Sequence, residues 1–300
     1  MASSIKITVW ANMVLDYAQS RFCRKTYNDK KLCFKMLGKK FGKDMLVEEL
    51  TPLSIEAHLG EQLTNRSPNA ANKDRKNLAN AWDLGVKYLE GFPSKPNPFR
   101  AVDKFPEVRK ERYIPPLEDV AKVVQCCEGQ DQLMLLTYLM TGARRAEIWN
   151  LKWQDVDFEN TRIRLWTRKR VGGLEYDYIP MPTALKAKLS AWKQDQPLKS
   201  PYVFVNLLER SSTYGQPFKD RRNFLIKKCE EAGVDVFGYH ALRHIAASKL
   251  YKDSGKLHAV KTLMRHRNSN TTEFYLKSIG FEDATEAFED SLGEFAKVIE

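Results

Sequence analysis

Apolar residues recur at three- and four-residue intervals along most of the chain, and the places where that rhythm fails divide it. Trp10, Val14 and Tyr17 share one side of a helix that Thr8 can cap. Cys33, Leu37 and Phe41 lie four apart within residues 29–41, beside a lysine-rich surface. Thr51-Pro52 and Ser67-Pro68 each place a hydroxyl cap before a proline at the first helical position, a strong start signal. Ile55, Leu59 and Leu63 form the apolar stripe of the first of these helices. Leu78, Trp82, Gly85 and Leu89 form that of the second.

From Gly91 to Pro116 the rhythm lapses. Pro93, Pro96, Pro98, Pro106, Pro115 and Pro116 alternate with Lys104, Arg109, Lys110 and Arg112, which marks a basic linker. Helical spacing resumes near Leu117–Cys127, and the apolar stretch Leu133–Met140 reads as a buried helix delivering Thr141-Gly142 to a turn. Residues Arg162-Ile-Arg-Leu-Trp-Thr then alternate as a strand does. Gly172-Gly173 interrupts them and Tyr176-Asp-Tyr-Ile-Pro resumes, predicting a β-hairpin whose connection exceeds two residues. Helices follow around 182–193, 218–232, 240–251 and 256–265. The fold class is therefore mainly α with a small antiparallel β-sheet. It divides into a helical domain over 1–95, a linker over 96–114, an α+β domain over 115–280 and an amphipathic acidic helix over 281–300.

Charge sharpens the picture. The hydrophobic share of 43% is enough for a real core, and the formal net charge is +11. Residues 276–300 hold seven acids against only Lys277 and Lys297. The excess of cations therefore lies ahead of that segment and points to an anionic partner such as nucleic acid. On the helix after Ser67, Asn69, Asn72, Lys73, Arg75 and Lys76 oppose the apolar stripe. That face is either solvated or set in a DNA groove, with amides reading bases and cations holding phosphates. No apolar run is long enough to cross a bilayer, and the start of the chain lacks the apolar core of a secretory signal. The five cysteines show no metal-ligand spacing and read as buried or semi-buried free thiols. A cytoplasmic protein with no metal and no cofactor is expected.

The candidate chemistry lies in two islands. His240-Ala-Leu-Arg243-His244 places His240 and Arg243 on one helical face, with His244 beside it, and is followed by Leu-Met-Arg-His266 and, nine positions on, Tyr275. A hundred residues upstream, Arg144 follows the Thr141-Gly142 turn with Glu147 three further on, and Arg145 competes with Arg144. The bland alternatives are structural histidines and a surface arginine paired with Glu147. Arginine's planar fork matches phosphate oxygens and stays charged, so two such forks suit a developing pentavalent phosphate.

Taken together these segments resemble the tyrosine recombinase (phage integrase) family. The motifs are Thr141-Gly142-Ala143-Arg144-Arg145-Ala146-Glu147-Ile148, His240-Ala241-Leu242-Arg243-His244, Leu263-Met264-Arg265-His266 and Thr271-Thr272-Glu273-Phe274-Tyr275. Each alone is weak, but four in order at matching spacings are specific. The resemblance covers most of the chain: a helical core-binding domain, a linker and a catalytic domain.

The resemblance implies Tyr275 as nucleophile, giving a 3′-phosphotyrosyl link and a free 5′-hydroxyl. It implies Arg144 and Arg243 as the phosphate clamp, His240 as proton acceptor or phosphate ligand, and His266 as donor to a nonbridging oxygen. Glu147 and His244 would support them. It also implies a hairpin lysine as general acid, assigned to Lys169 within Thr167-Arg168-Lys169-Arg170, whose flanking arginines blur the register. Double-stranded DNA is the implied substrate, held as a dimer on each specific site and a tetramer in synapsis, with accessory DNA-bending or directionality factors possible partners. Integration or excision of a mobile element is the first role implied. Xer-like dimer resolution, a type IB topoisomerase and a catalytically silent DNA-binding regulator are the alternatives. The helix of Ala284, Phe288, Leu292, Phe295 and Ile299 either packs on its own domain or is donated to a neighbouring protomer. Three positions depart from the family pattern: Arg265 stands where glycine is usual, Ala143 replaces a larger apolar residue, and Leu276 replaces a polar one.

Overall fold

A computed structural model describes residues 5–108, 113–170 and 173–265. His266, Tyr275, Leu276 and the expected tail helix lie outside the described residues, as does the side chain of Lys169. The chain divides into two compact units, Met1–Glu111 and Arg112–Glu300.

The first unit is helical: α1 (Ile7–Arg21), α2 (Arg24–Phe41), α3 (Pro52–Asn65), α4 (Pro68–Tyr88) and the short α5 (Pro98–Ala101). α3 starts as the sequence predicts, with the Thr51 hydroxyl accepting from the Ser54 N–H at 3.2 Å and the Ser54 hydroxyl accepting from the Thr51 N–H at 3.0 Å. Ser67 caps α4 by accepting from the Ala70 N–H. α1 differs from expectation. Its N-cap is Lys6, and Thr8 lies in the first turn with its hydroxyl donated to the Lys43 carbonyl. The carbonyls of Met45 and Lys43 accept from the N–H groups of Ile7 and Thr8, so two first-turn donors are satisfied without a side-chain cap.

Two tryptophans organise this core. Trp10 and Trp82 meet edge to face at 6.1 Å, and the Trp10 indole donates to the Ala81 carbonyl at 2.9 Å. Phe92 lies on Trp82 at 5.0 Å because Gly85 leaves room; a Cβ there would stand 2.5 Å from the Phe92 ring.

The expected linker over 96–114 is in large part not a linker. Phe99 and Val102 are buried in the same core. Asn97 caps Phe99 and donates to the Ala79 carbonyl and the Asp83 carboxylate, both at 2.9 Å. The compact unit therefore runs well past residue 95. Prolines suppress helical periodicity here, yet backbone groups of an irregular segment can still be anchored by side chains, and burial of Phe99 supplies the driving force.

The second unit contains α6 (Leu117–Gln125), α7 (Gly129–Thr141), α8 (Arg145–Trp149), α9 (Thr183–Asp195), α10 (Arg222–Glu231), α11 (Tyr239–Ser254) and α12 (Leu257–Met264) around a three-stranded antiparallel sheet. The sheet has the order β1 (Val156–Asp157), β2 (Arg162–Arg170), β3 (Gly173–Pro180). Ile163, Leu165 and Ile179 turn inward to meet Leu135, Tyr138, Ile148, Leu189, Phe204 and Leu242. The opposite face carries a ladder in which Trp166 pairs with Tyr176 across the strands and Arg164 with Tyr178. Asp155 holds that face by accepting from Arg164 Nε at 2.7 Å and from the Trp166 indole at 3.0 Å.

The hairpin is tighter than its glycines suggest. Arg170 pairs with Gly173, leaving two residues between the strands, and a bulge falls between Thr167 and Arg170. A bulge breaks the two-residue alternation of faces, so counting from the buried Thr167 does not fix the face of Lys169.

The thiols divide differently from expectation. Cys33, Cys127 and Cys229 are buried and Cys126 is half-buried, but Cys23 is exposed at the start of α2. A hydrogen bond with the Thr26 hydroxyl pulls the Cys23 pKa below its ordinary value, whereas burial pushes up that of Cys33.

Candidate functional site

α7 ends because Gly142 adopts the left-handed conformation, φ 55° and ψ 21°, with its N–H donated to the Tyr138 carbonyl. A Cβ at Gly142 would lie 3.0 Å from Leu263 Cγ, so this turn also lets α12 approach. The chain re-enters a helix at once, with Arg144 as the N-cap of α8. Glu147, three residues on, accepts from the Arg144 backbone N–H at 2.7 Å and from Arg144 Nη1 at 3.0 Å. Thus Glu147 satisfies an orphan donor of the helix start while holding the arginine side chain.

α11 brings the second island to this turn. Arg243, 1% exposed, donates from Nη1 to the Gly142 carbonyl and from Nη2 to the Met264 carbonyl. It thereby ties the end of α7 to the end of α12. His240 is exposed one turn earlier on α11, and its ring meets that of the buried His244 edge to face at 4.7 Å. Arg145 goes elsewhere: it is exposed and stacks on Trp149 at 4.9 Å. Of the two competing arginines, it is Arg144 that is bonded to Glu147.

From the sequence, Arg265 reads only as added charge and bulk. In the structure its backbone is left-handed, φ 48° and ψ 45°, and its N–H closes α12 on the Lys261 and Thr262 carbonyls at 2.8 and 3.2 Å. A side-chain-bearing residue in this conformation costs about 1–3 kcal/mol, which explains why glycine suits the position. Its guanidinium is buried and donates from Nη2 to Glu147 Oε2 at 2.6 Å. The Nε and Nη1 groups of Arg265 are buried without a hydrogen-bond partner among the described residues.

Glu147 therefore joins Arg144, three residues before it, to Arg265, 118 residues after it. Burial alone would raise its pKa. The Arg265 charge, the Arg144 N–H and the Arg144 charge outweigh burial and hold the carboxyl below its ordinary value, so it is an anion at neutral pH. The Arg144–Glu147 spacing signalled one half of this arrangement; for the other half the only sequence signal was the departure from glycine at Arg265.

The polar face of α4 is partly committed inside its own unit. Asn72 donates to the Phe105 carbonyl at 2.9 Å and to Glu107 at 2.7 Å, and accepts from the Phe105 N–H at 2.9 Å. Arg75 donates to the carbonyls of Val102 and Arg100. Both staple the irregular segment to the helix, which is a different use from reading bases. Asn69, Lys73 and Lys76 are exposed, with Lys73 paired to Asp29 at 2.8 Å and Asn69 near Glu107 at 3.5 Å.

Comparison with known proteins agrees with this geometry. The family model described as the phage integrase family matches residues 114–279. Tyrosine recombinase XerA of Thermococcus kodakarensis is 30% identical over 161 residues, which cover 52% of this chain and 53% of that protein. Tyrosine recombinase XerC of Thermodesulfovibrio yellowstonii is 25% identical over 250 residues, covering 76% of this chain and 78% of the relative. The chain spans about half the length of the XerA relatives it matches.

Among solved structures, a lambda integrase tetramer bound to a Holliday junction superposes with a TM-score of 0.71 at 19% identity, covering 91% of this chain and 77% of that one. The Tn1549 transposon integrase in complex with transposon right end DNA gives 0.70 at 16%, covering 96% and 100%. These likenesses show the fold. The family match spans more than half of the chain, over the segment that holds Arg144, Glu147, Arg243 and Arg265: the chain belongs to the phage integrase family of tyrosine recombinases.

Proposed function

We propose that this protein is a site-specific DNA recombinase that cuts and rejoins strands through a 3′-phosphotyrosyl intermediate at Tyr275. One observation carries the reading: the arginines of two distant motifs, Arg144 and Arg243, converge on the Gly142 turn, where Glu147 and two backbone carbonyls fix them. Preorganised cations of this kind stabilise the charge that accumulates on a phosphate in its transition state.

In the proposed reaction the Tyr275 phenolate oxygen bonds to the scissile phosphorus as the 5′-oxygen leaves. Lys169 gives that oxygen a proton, His266 donates to a nonbridging oxygen, and His240 takes up the tyrosine proton or holds the phosphate. The 5′-hydroxyl of a second strand then attacks the phosphotyrosine, releasing Tyr275 and restoring a phosphodiester. Bond energy is conserved in the enzyme link, so the two transfers are nearly balanced. DNA is held by the two units, with Asn69, Lys73 and Lys76 as the outward groups of α4. The assembly is a dimer on each site and a tetramer at a Holliday junction, by analogy with the lambda integrase dimer bound to a core site and its tetramer bound to a Holliday junction. The proposed role is integration or excision of a mobile element. Chromosome dimer resolution is the second reading, favoured by the Xer recombinases among the sequence relatives.

A nicked duplex, selected by binding from a randomised pool, tests the chemistry. Wild type should form a covalent adduct with it and Tyr275→Phe should form none. Binding without an adduct from wild type supports the silent-regulator alternative. An adduct that relaxes supercoils but never joins two sites supports a topoisomerase. Recombination between sites on one plasmid, with none between plasmids, favours resolution or excision over integration.

A further inference from the structure

Two guanidinium groups claim one carboxylate at this site, and they differ in where they sit. Arg265 and Glu147 are each only 3% exposed in their side chains, whereas Arg144 is 22% exposed. Arg265 is fixed by the end of α12, and Nε and Nη1 have no other hydrogen-bond partner among the described residues. Because arginine cannot shed its proton, the buried cation depends on Glu147. Arg144 has a choice: it stands nearer solvent and meets the same carboxylate through Oε1. A carboxylate already neutralised from within attracts a second cation less strongly.

We propose that Arg265 is a positioning residue that neutralises Glu147 from the buried side and so leaves the Arg144 guanidinium available to the DNA phosphate. Without Arg265 the full charge of Glu147 faces Arg144 and competes with the phosphate for it. With Arg265 present, Glu147 still orients Arg144 through the backbone and side-chain bonds but holds it weakly enough to be shared. This inference rests on the DNA-cleaving reading of the site.

The test measures the rate of covalent adduct formation on the selected nicked duplex, at a temperature where every variant is folded by circular dichroism. Arg265→Gly suits the left-handed backbone and removes the cation together with its buried side chain, while Arg265→Lys keeps a charge and most of the stem. Arg265→Gly should slow the adduct about tenfold to a hundredfold, as expected for weakening one charge contact in the transition state. Arg265→Lys should recover most of that rate. In an Arg144→Lys background, adding Arg265→Gly should slow the reaction by less than about threefold, because the residue it acts through is already altered. A purely structural role predicts the full loss in both backgrounds, and that result, or a wild-type rate for Arg265→Gly, overturns the proposal. If wild type forms no adduct, the reading of the site itself falls; if it does, only the role of Arg265 is at stake.

Discussion

Replacing Glu147 by glutamine should destabilise the second unit by about 3 kcal/mol at neutral pH. Glutamine keeps the shape, so no cavity contributes. The loss is electrostatic and comes from Arg265, whose guanidinium and carboxylate partner are both 3% exposed at 2.6 Å. Removing one member of a buried pair typically costs about 3–5 kcal/mol because the other charge is left uncompensated. The low end applies, since the glutamine oxygen still accepts one bond. The Arg144 pair adds little, being 22% exposed on the arginine side and screened. Urea unfolding of the full chain, following the transition of the second unit, gives the difference.

The pH dependence supplies a second reading of the same quantity. The folded-state pKa of Glu147 lies below its ordinary value of 4.5. Its contribution is therefore complete above the ordinary value and is lost as pH falls through the folded value. The gap between wild type and Glu147→Gln should narrow in acid below about pH 4.5. A gap below about 1 kcal/mol, or one that does not change with pH, would refute the assignment of Glu147 as the anion of a buried pair.

Three further outcomes follow from the geometry. Gly142→Ala puts a side chain at φ 55° and 3.0 Å from Leu263, so it should cost about 2 kcal/mol in urea unfolding, with partial recovery on adding Leu263→Ala. Asn72→Ala removes three hydrogen bonds to Phe105 and Glu107, and should lower the stability of the first unit by about 1–3 kcal/mol and speed proteolysis within residues 100–108. Cys23, exposed and with its pKa lowered by Thr26, should react first with a thiol reagent, and Cys23→Ser should abolish the fast phase while Cys33 stays protected.

Local chemistry was legible in the sequence. Thr51-Pro52 and Ser67-Pro68 start helices because a cap hydroxyl and a proline act within a few residues, whatever surrounds them. The alternation of Ile163, Leu165 and Ile179 pointed to the sheet because burial of one face leaves a two-residue rhythm. The four motifs pointed to the family. The use of polar groups was not legible. Asn72 and Arg75 look the same from the sequence whether they face DNA or the carbonyls of Arg100, Val102 and Phe105. Residues 96–107 lack periodicity, yet Phe99 is wholly buried.

The sequence by itself therefore determined most of the elements and the family, since these rest on short-range spacing. Only the tertiary structure decided that Arg243 binds the Gly142 and Met264 carbonyls and that Glu147 is shared between Arg144 and Arg265. The long-range partners among these are separated by 101, 21 and 118 residues, and no periodicity spans such distances. Which cation neutralises a buried anion depends on packing and solvent exposure, quantities that exist only once the chain has folded.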